Sequence, residues 1–395
     1  MQKTASLPLP SPDALAQSVT LTSHIGAALD AAGGWLPFSR FMELALYAPG
    51  LGYYSGGASK FGRSVADGGD FITAPELSPL FGRTVARQLA EVMEEHGLDR
   101  IIEFGAGTGQ LAAQILGELA ALGVPCREYA IVELSGELRA RQQVALAAHA
   151  GQVVWLDALP ERIEGIVLGN EVLDAMPVRV WARRHGLWRE QGVRRAGDGF
   201  AWQPAPDAFS APLDVPAALA QVPGGHDIQT ETHEAGEAFI ASVAERLERG
   251  LVLLFDYGFP AAEYYHAQRE HGTLMCHYRQ HAHDDPFFLP GLQDITAHVN
   301  FTGIAQQAMA HGLTLAGYTS QARFLMNAGL MEMLMELDPR DATTFLPASN
   351  AAQRLLSEAE MGELFKAIAL TRDIDTGTLS GFARGDRAHR LLTDA

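Results

Sequence analysis

Apolar residues in the first half of the chain occur in two patterns that alternate. One pattern is a short continuous run, as in Arg100–Phe104, Glu128–Glu133, Val153–Leu156 and Gly165–Gly169. The other is a spacing of three and four residues, as in Gln110–Leu122 and Gly136–Ala148. Short continuous runs are typical of buried strands, and the three-four spacing is typical of helices. Strands that alternate with helices predict a parallel, doubly wound α/β sheet.

Residue patterns that precede the first predicted strand indicate an addition to the sheet. Residues 21–54 predict two short helices separated by Gly33, Gly34 and Pro37, with a Gly/Pro loop after them. A further helix leads into the first strand and ends at Gly97, with apolar positions at Leu77, Phe81, Val85, Leu89 and Met93. We therefore expect residues 1–97 to form a helical N-terminal addition that includes a segment covering the ligand.

The second half continues the α/β pattern with two interruptions. Val178–Thr230 has Trp- and Arg-rich strand-like pieces and a Pro/Ala-rich loop, which predict an inserted hairpin region, and Phe259–Thr296 is rich in loop residues. Further elements are predicted at His233–Arg249, Leu251–Gly258, Ile304–His311, Leu313–Ser320, Gln321–Leu337 and Phe365–Thr371. The domain prediction is one core over residues 98–395, with insertions at about 178–232 and 259–296.

Charge and cysteine content narrow the class of partner. The chain has 29 Lys and Arg against 47 Asp and Glu, a formal charge of −18, which argues against a nucleic-acid partner and favours a basic one. The alternative explanation of the negative charge is that an acidic surface only keeps the protein soluble. The two cysteines have no metal or redox spacing, and no apolar run reaches the roughly 18–20 residues that span a bilayer. A cytoplasmic location is expected, since the first residues lack a signal-peptide pattern.

The turn after the first predicted strand is rich in glycine. A dinucleotide fingerprint, G-x-G-x-x-G, would require a third glycine where Gln110 stands. The glycines fall instead at Gly105, Gly107 and Gly109, around Ala106. With Glu103 before them, this E-x-G-x-G-x-G spacing resembles motif I of class I methyltransferases that use S-adenosyl-L-methionine (SAM). SAM presents an ammonium group that a carboxylate can bind, whereas a dinucleotide presents phosphates.

Acids also stand at the ends of the following strands. Glu133 is a candidate for ribose hydroxyls in either ligand, and Asp157 stands where such methyltransferases commonly contact adenine. Their alternative role is to cap the next helix or turn. Asn170 and Glu171 end the fourth strand at the carboxyl edge of the sheet, where we expect them to face the transferred methyl group.

Five longer motifs carry a closer resemblance. They are "GDFITAPELSPLFG" (69–82), "GNEVLDAMPV" (169–178), "DYGF" (256–259), "YRQH" (278–281) and "PGLQDITAHVNF" (290–301). In this order they resemble the MidA-like family of methyltransferases, whose mitochondrial members are complex I assembly factors. The resemblance extends roughly from His24 to Gly385. One departure is the loop "FGAGTGQLA", where family members often have "GPGRG".

The resemblance implies a Rossmann-like, class I SAM methyltransferase core with a helical N-terminal addition and insertions. By motif match it implies that the three glycines line SAM and that Gly69, Asp70 and Thr73 close over it. It also implies dimethylation of an arginine on a subunit of respiratory complex I, hence a protein substrate that presents an arginine. A eukaryotic member would act in the mitochondrial matrix, and a homodimer is one possible state of assembly.

An arginine acceptor makes demands on the site. Its pKa of at least about 12.5 places deprotonation at pH 7 some 7–8 kcal/mol uphill. Carboxylates that bind the guanidinium through paired hydrogen bonds can instead orient one of its nitrogens for methylation while that nitrogen loses its proton. Glu171 and Asp174 are the candidates, with Asp256 as a third acid. Asp174 has an alternative role as a cap of the turn before Pro177.

The stretch "CHYRQHAHDDP", residues 276–286, contains metal-ligand residue types. Its spacing matches no structural zinc pattern, and we predict no metal. A loop that covers the substrate is the favoured interpretation, with His281 and His298 as candidate substrate contacts.

The leading hypothesis is a protein arginine methyltransferase. Alternatives are a SAM-binding assembly chaperone without catalysis, a methyltransferase with another acceptor and a nicotinamide dehydrogenase, against which Gln110 argues.

Overall fold

The structure is a computed structural model that describes residues 7–56, 73–206, 219–220, 222–375, 377 and 379–392. Gly69 and Asp70 lie outside the described residues. The strands are β1 Leu36–Pro37, β2 Arg100–Phe104, β3 Glu128–Val132, β4 Val153–Leu156, β5 Ile163–Asn170, β6 Arg179–Arg184, β7 Leu187–Ala196, β8 Gly199–Pro204, β9 Ile228–Thr232, β10 Leu247–Phe259, β11 Met275–Tyr278, β12 His281–His283, β13 Asp294–Thr296, β14 Val299–Asn300, β15 Thr314–Ser320 and β16 Phe365–Arg372. The helices are α1 Pro12–Ala31, α2 Phe38–Tyr47, α3 Ala74–Leu77, α4 Pro79–His96, α5 Gln110–Leu122, α6 Gly136–Ala145, α7 Glu234–Arg246, α8 Ala261–Tyr264, α9 Phe301–Ala310, α10 Gln321–Asn327, α11 Leu330–Met335 and α12 Ala342–Leu356.

A central sheet positions the site. Its order is β15-β16-β10-β5-β2-β3-β4, with β14 beside the end of β10. The strands from β10 to β4 are mutually parallel, whereas β16 is antiparallel to both β10 and β15. The chain leaves β2 toward β4 and then returns to β5 on the other side of β2. Ligands of open α/β sheets bind at the carboxyl ends of the strands beside such a reversal.

Both faces of this sheet are covered, which explains the continuous apolar runs. Ile101 and Ile131 pack on one side with α4 and α5, and Ile102 and Val167 pack on the other with α7 and α9. Alternate residues of one strand point to opposite faces, so a strand buried on both faces is apolar throughout.

A second sheet joins parts of the chain that are far apart in sequence. Its order is β1-β7-β6-β9, with β8 beside β7, and all of its pairs are antiparallel. Its core includes Phe38 and Phe41 of α2, Val180 of β6 and Ile295 of β13. The predicted hairpin region is therefore a larger sheet that packs with the N-terminal addition. A third sheet, β12-β11-β13, lies within residues 259–296.

Several predicted elements need correction. The first helix, α1, is not short but has 20 residues. The helix predicted at Gln321–Leu337 is divided, because Gly329 has φ 95° between α10 and α11. Helix α12 was not predicted, and it carries Pro347, a residue that ordinarily interrupts helices. The division at residue 97 stays a prediction, and α4 packs directly on the central sheet.

No helix in the described ranges has the length and apolar character needed to cross a bilayer.

Candidate functional site

The glycine loop connects β2 to α5 at the reversal of the sheet. Gly105, Gly107 and Gly109 have φ values of 64°, 52° and 86°, a left-handed region that glycine adopts at low cost. A Cβ at Gly105 would lie 2.8 Å from the side chain of Val172, whereas no described atom lies within 4 Å of a Cβ at Gly107. Ala106 is buried within the loop. The backbone at Gly107 is therefore open to close approach by a ligand.

Gln142 of α6 ties the loop to its surroundings. Its side chain is fully buried, and its Nε2 donates to the carbonyl oxygen of Gly107 and to Oε2 of Glu133, each at 3.0 Å. Its Oε1 accepts from the indole N–H of Trp155 at 2.9 Å. No signal in the sequence singles this residue out, because one glutamine on an amphipathic helix has no distinguishing pattern.

Replacing Gln142 by Ala is expected to weaken SAM binding and to lower the free energy of unfolding by about 1–3 kcal/mol, because buried polar partners are left unsatisfied. Isothermal titration with SAM and denaturant unfolding measure the two effects. Gln143→Ala is the matched control, since Gln143 is exposed on the same helix. Unchanged SAM affinity in Gln142→Ala would show that this side chain does not support the loop.

Glu103 lies beneath the loop in the interior. Its side chain is 1% exposed and accepts a hydrogen bond of 2.8 Å from the hydroxyl of Tyr129. Burial raises the pKa of Glu103 to about 7. A cation near this carboxyl group would favour its ionised form. Contact with the SAM ammonium stays a prediction.

Glu133 and Asp157 are linked by Arg139. Its Nη2 donates to the carbonyl oxygen of Glu133 at 2.7 Å and to Oδ1 of Asp157 at 2.6 Å. The side chain of Asp157 is 86% exposed. Oε1 of Glu133 accepts from the backbone N–H of Ser135 at 2.8 Å, in keeping with its alternative role at the next turn. The ribose and adenine contacts stay predictions.

Asp256, at the end of β10, holds the turn after β5. Its Oδ2 accepts from the backbone N–H groups of Val172, Leu173 and Asp174 at 3.1, 2.8 and 3.3 Å. The preceding residue, Glu171, has φ 55°. Non-glycine residues rarely adopt this conformation, and it persists where the surroundings enforce it. Asp256 therefore fixes the position of its neighbours, and a direct part in catalysis stays a prediction.

The structure brings Asn170, Glu171 and Asp174 together. Nδ2 of Asn170 donates to Oε1 of Glu171 at 3.0 Å. Burial, and next the charge of Asp174, raise the pKa of Glu171 to about 8. Burial likewise raises the pKa of Asp174 to about 6, opposed by a hydrogen bond from Tyr257. Oδ1 of Asn170 and Oδ1 of Asp174 are buried, and neither has a hydrogen-bond partner among the described residues.

Side chains that sequence reasoning did not assign face these acids. The hydroxyl of Tyr47 donates to the carbonyl oxygen of Ala175 at 2.9 Å, and that of Tyr54 donates to Oδ1 of Asp294 at 3.0 Å. The charges of Asp294 and Asp174 raise the pKa of both tyrosines further, after desolvation. The same two charges act on Tyr257. We call this group the acceptor pocket: Tyr47, Tyr54, Glu171, Asp174, Tyr257 and Asp294. Of the new members, Tyr257 lies within the motif "DYGF" and Asp294 within the motif "PGLQDITAHVNF".

Helix α3 connects this pocket to the glycine loop. The backbone N–H of Ala74 hydrogen-bonds the carboxyl group of Glu171, and the hydroxyl of Thr108 donates to Glu76. Nε2 of Gln114 donates to the carbonyl oxygen of Pro75 at 2.8 Å. Thr73 precedes this helix, so it lies beside the site, and its contact with SAM stays a prediction.

The two candidate histidines occupy different positions. The ring of His298 lies 5.1 Å from the ring of Tyr257, at the edge of the acceptor pocket. His281 is exposed, and its Nδ1 lies 2.7 Å from the carbonyl oxygen of Arg279. Within the part of the chain that the structure describes, no three His, Cys, Asp or Glu side chains come together as metal ligands.

Comparison with known proteins decides the family. The model of a family of S-adenosyl-L-methionine-dependent methyltransferases matches residues 84–319. The chain belongs to this family. SAM is thus its cofactor, as the glycine loop predicted, and the class I, Rossmann-like fold is confirmed by a solved relative. This crystal structure is of a protein from Burkholderia thailandensis bound to S-adenosyl-homocysteine. It is 58% identical with a TM-score of 0.93, covering 97% of this chain and 100% of that one.

Curated relatives are more distant. The Caenorhabditis elegans homolog of the mitochondrial protein arginine methyltransferase NDUFAF7 is 25% identical, covering 85% of this chain and 83% of the relative. The human protein arginine methyltransferase NDUFAF7 is also 25% identical, covering 85% and 80%. The MidA-like resemblance is confirmed by these relatives together with the family match.

The site suits SAM on its own geometry. The open backbone at Gly107 and the unpartnered Oδ1 of Asn170 lie at the carboxyl ends of β2 and β5. We expect the three glycines and Glu103 to hold the amino-acid end of SAM, and Glu133 and Asp157 to hold its nucleoside end. Asn170 would then stand between the cofactor and the acceptor pocket.

Proposed function

We propose that this chain methylates an arginine side chain of a protein. The observation that carries the proposal is the acceptor pocket, in which three carboxyl groups and three tyrosine rings meet beside the glycine loop. Carboxylates bind a guanidinium through paired hydrogen bonds, and aromatic rings stack on its plane. The names of the curated relatives support the same acceptor.

Each acid of the pocket has a distinct part in this proposal. Glu171 orients one guanidinium nitrogen and takes the proton that this nitrogen loses when it gains the methyl group. Asp174 binds the neighbouring nitrogen through the oxygen that lacks a partner, and so localises the positive charge away from the reacting atom. Asp256 fixes the turn that carries both. SAM, when bound, supplies the electrophilic methyl group, and positioning lowers the barrier to transfer.

The raised pKa of Glu171 predicts a pH dependence for substrate binding. A guanidinium stays charged at all working pH values and favours the ionised carboxyl group, so a proton competes with it below the pKa of about 8. We expect KM for an arginine peptide to fall as pH rises from 6 to 8, by at most about tenfold per pH unit, and then to level. Steady-state kinetics at fixed ionic strength measure this. A KM that stays constant across this range would contradict the proposed pairing.

We propose a subunit of respiratory complex I (NADH-quinone oxidoreductase), or its bacterial counterpart, as the substrate. The mitochondrial arginine methyltransferases among the relatives support this, and an acidic chain would attract an arginine-bearing segment. The corresponding location is the cytoplasm for a bacterial chain and the mitochondrial matrix for a eukaryotic one.

Quantitative mass spectrometry of arginine methylation, with and without the gene, tests the proposal. We expect a small set of dimethylated arginines to disappear on deletion and to return with the wild-type chain, but not with Glu171→Gln. Rescue of complex I assembly by Glu171→Gln with no arginine methylation would support an assembly chaperone instead. Loss of methyl groups from another residue type would support a different acceptor.

A further inference from the structure

Tyr47 stands at the end of α2 with its ring partly open to solvent. The side chain is 40% exposed even though its hydroxyl group is anchored 2.9 Å from the carbonyl oxygen of Ala175. Ala175 directly follows Asp174, so the ring lies beside the carboxyl groups of the acceptor pocket. A tyrosine ring beside carboxyl groups can bind a cation that approaches its exposed part.

Neighbouring residues hold this ring in one orientation. It stacks on the ring of Tyr54, with centroids 5.5 Å apart and planes inclined by 21°. The hydroxyl of Tyr54 is in turn bound to Asp294, which is 2% exposed. Helix α2 itself is fixed by Phe38 and Phe41 in the core of the second sheet. Because these contacts pre-organise the ring, binding to it costs little conformational entropy.

We propose that Tyr47 determines the specificity of the acceptor pocket for a guanidinium. Its ring forms an aromatic wall on which the planar cation stacks, while Glu171 and Asp174 bind the edge of the same cation. A lysine ammonium is a compact point charge that gains less from this geometry than a flat guanidinium does. The inference rests on the proposed function and extends it, since it assigns acceptor selectivity to the N-terminal addition.

The assignment also gives the N-terminal addition a definite purpose. The central sheet supplies Glu171 and Asp174 from the turn after β5 and Tyr257 from β10, and the third sheet supplies Asp294. Helix α2 brings Tyr47 beside these groups, and the second sheet fixes α2 in place. The acceptor pocket is therefore complete only when the addition is packed against the core.

Binding of short peptides to the full chain, saturated with S-adenosyl-homocysteine, tests the proposal. Three acetylated peptides differ at one position, which is arginine, lysine or citrulline, and calorimetry gives each affinity. Tyr47→Leu removes the ring, and Tyr47→Phe keeps the ring but removes the bond to Ala175. Trp188→Leu, at the turn end of the β6–β7 hairpin, is the control for loss of a partly exposed aromatic residue from the second sheet. KM and kcat for the arginine peptide are measured on the same four proteins.

Wild type, Tyr47→Phe and Trp188→Leu should bind the arginine peptide more tightly than the lysine and citrulline peptides. Tyr47→Leu should bind the arginine peptide about tenfold more weakly than wild type does. The same variant should raise KM for the arginine peptide more than it lowers kcat. Unchanged affinity for S-adenosyl-homocysteine shows that each variant is folded. Arginine methylation with equal KM in wild type and Tyr47→Leu would overturn the inference and leave the proposed function intact. If wild type prefers the arginine peptide and Tyr47→Leu does not, but no methyl group is transferred, the binding site is supported and the proposed function is overturned. No preference for arginine over citrulline in wild type would overturn the guanidinium site.

Discussion

Replacing Glu171 by Gln is expected to lower kcat for arginine methylation by about 10²- to 10⁴-fold, the usual contribution of a positioned acid–base group. Gln has the shape of Glu and can still accept from Asn170 or Ala74, but it cannot take a proton or pair with a guanidinium as an anion. The cofactor side of the site is untouched, so SAM affinity should be retained. Single-turnover kinetics with labelled SAM measure the chemical step.

Stability distinguishes this loss from unfolding. The folded chain binds the proton of Glu171 more tightly than the unfolded chain does, because the pKa rises from 4.5 to about 8 on folding. This group therefore lowers stability progressively as pH rises from 4.5 to about 8. Glu171→Gln removes that cost and should melt at or above the wild-type temperature at pH 8.

Glu164→Gln is the matched control for this prediction. Glu164 lies on the same strand, β5, and its exposed side chain pairs with Arg249 at 2.9 Å. We expect it to leave kcat unchanged. An undiminished kcat in Glu171→Gln would contradict the role that we assign to the acceptor pocket.

Replacing Gly107 by Ala should weaken SAM binding by about 100-fold, equivalent to nearly 3 kcal/mol. A methyl group at this position meets no described atom of the protein, so it would occupy space next to the backbone that the ligand approaches. The left-handed φ of 52° adds a folding cost of about 1–2 kcal/mol for a residue with a Cβ. Calorimetry with SAM, alongside denaturant unfolding, separates the two effects.

Gly123→Ala provides a close control. Gly123 ends α5 with φ 75°, and a methyl group there would also have no described atom within 4 Å. It lies at the far end of a 13-residue helix, about 20 Å from the glycine loop. The two variants should lose similar stability, while Gly123→Ala keeps its affinity for SAM. Equal SAM affinities in the two variants would show that the ligand does not approach Gly107.

The elements with local signals were predictable from the sequence. Strand β2 and helix α5 have the predicted bounds, because a buried strand, a glycine turn and a helix each leave a pattern in adjacent residues. The same turn indicated the cofactor. Helix α12 was missed because its interior proline argues against a helix, although α12 packs with α10 and α4 in the core.

The acceptor pocket was only half predictable. Glu171 and Asp174 follow a recognisable strand end, so their residue types and position suggested a role. Tyr47 and Tyr54 contact Ala175 and Asp294 across 128 and 240 residues, and no local pattern reports such contacts. Asp256 is a different case, since its type and motif suggested catalysis but gave no sign that its Oδ2 accepts from three backbone N–H groups of the turn after β5.

The most direct test of the account is methyl transfer in a purified system. The chain is incubated with labelled SAM and the candidate complex I subunit, and the labelled residue is identified by mass spectrometry. The account predicts label on the guanidinium nitrogens of an arginine, and none with Glu171→Gln. Label on another residue type, or no label from a chain that binds SAM, would contradict it.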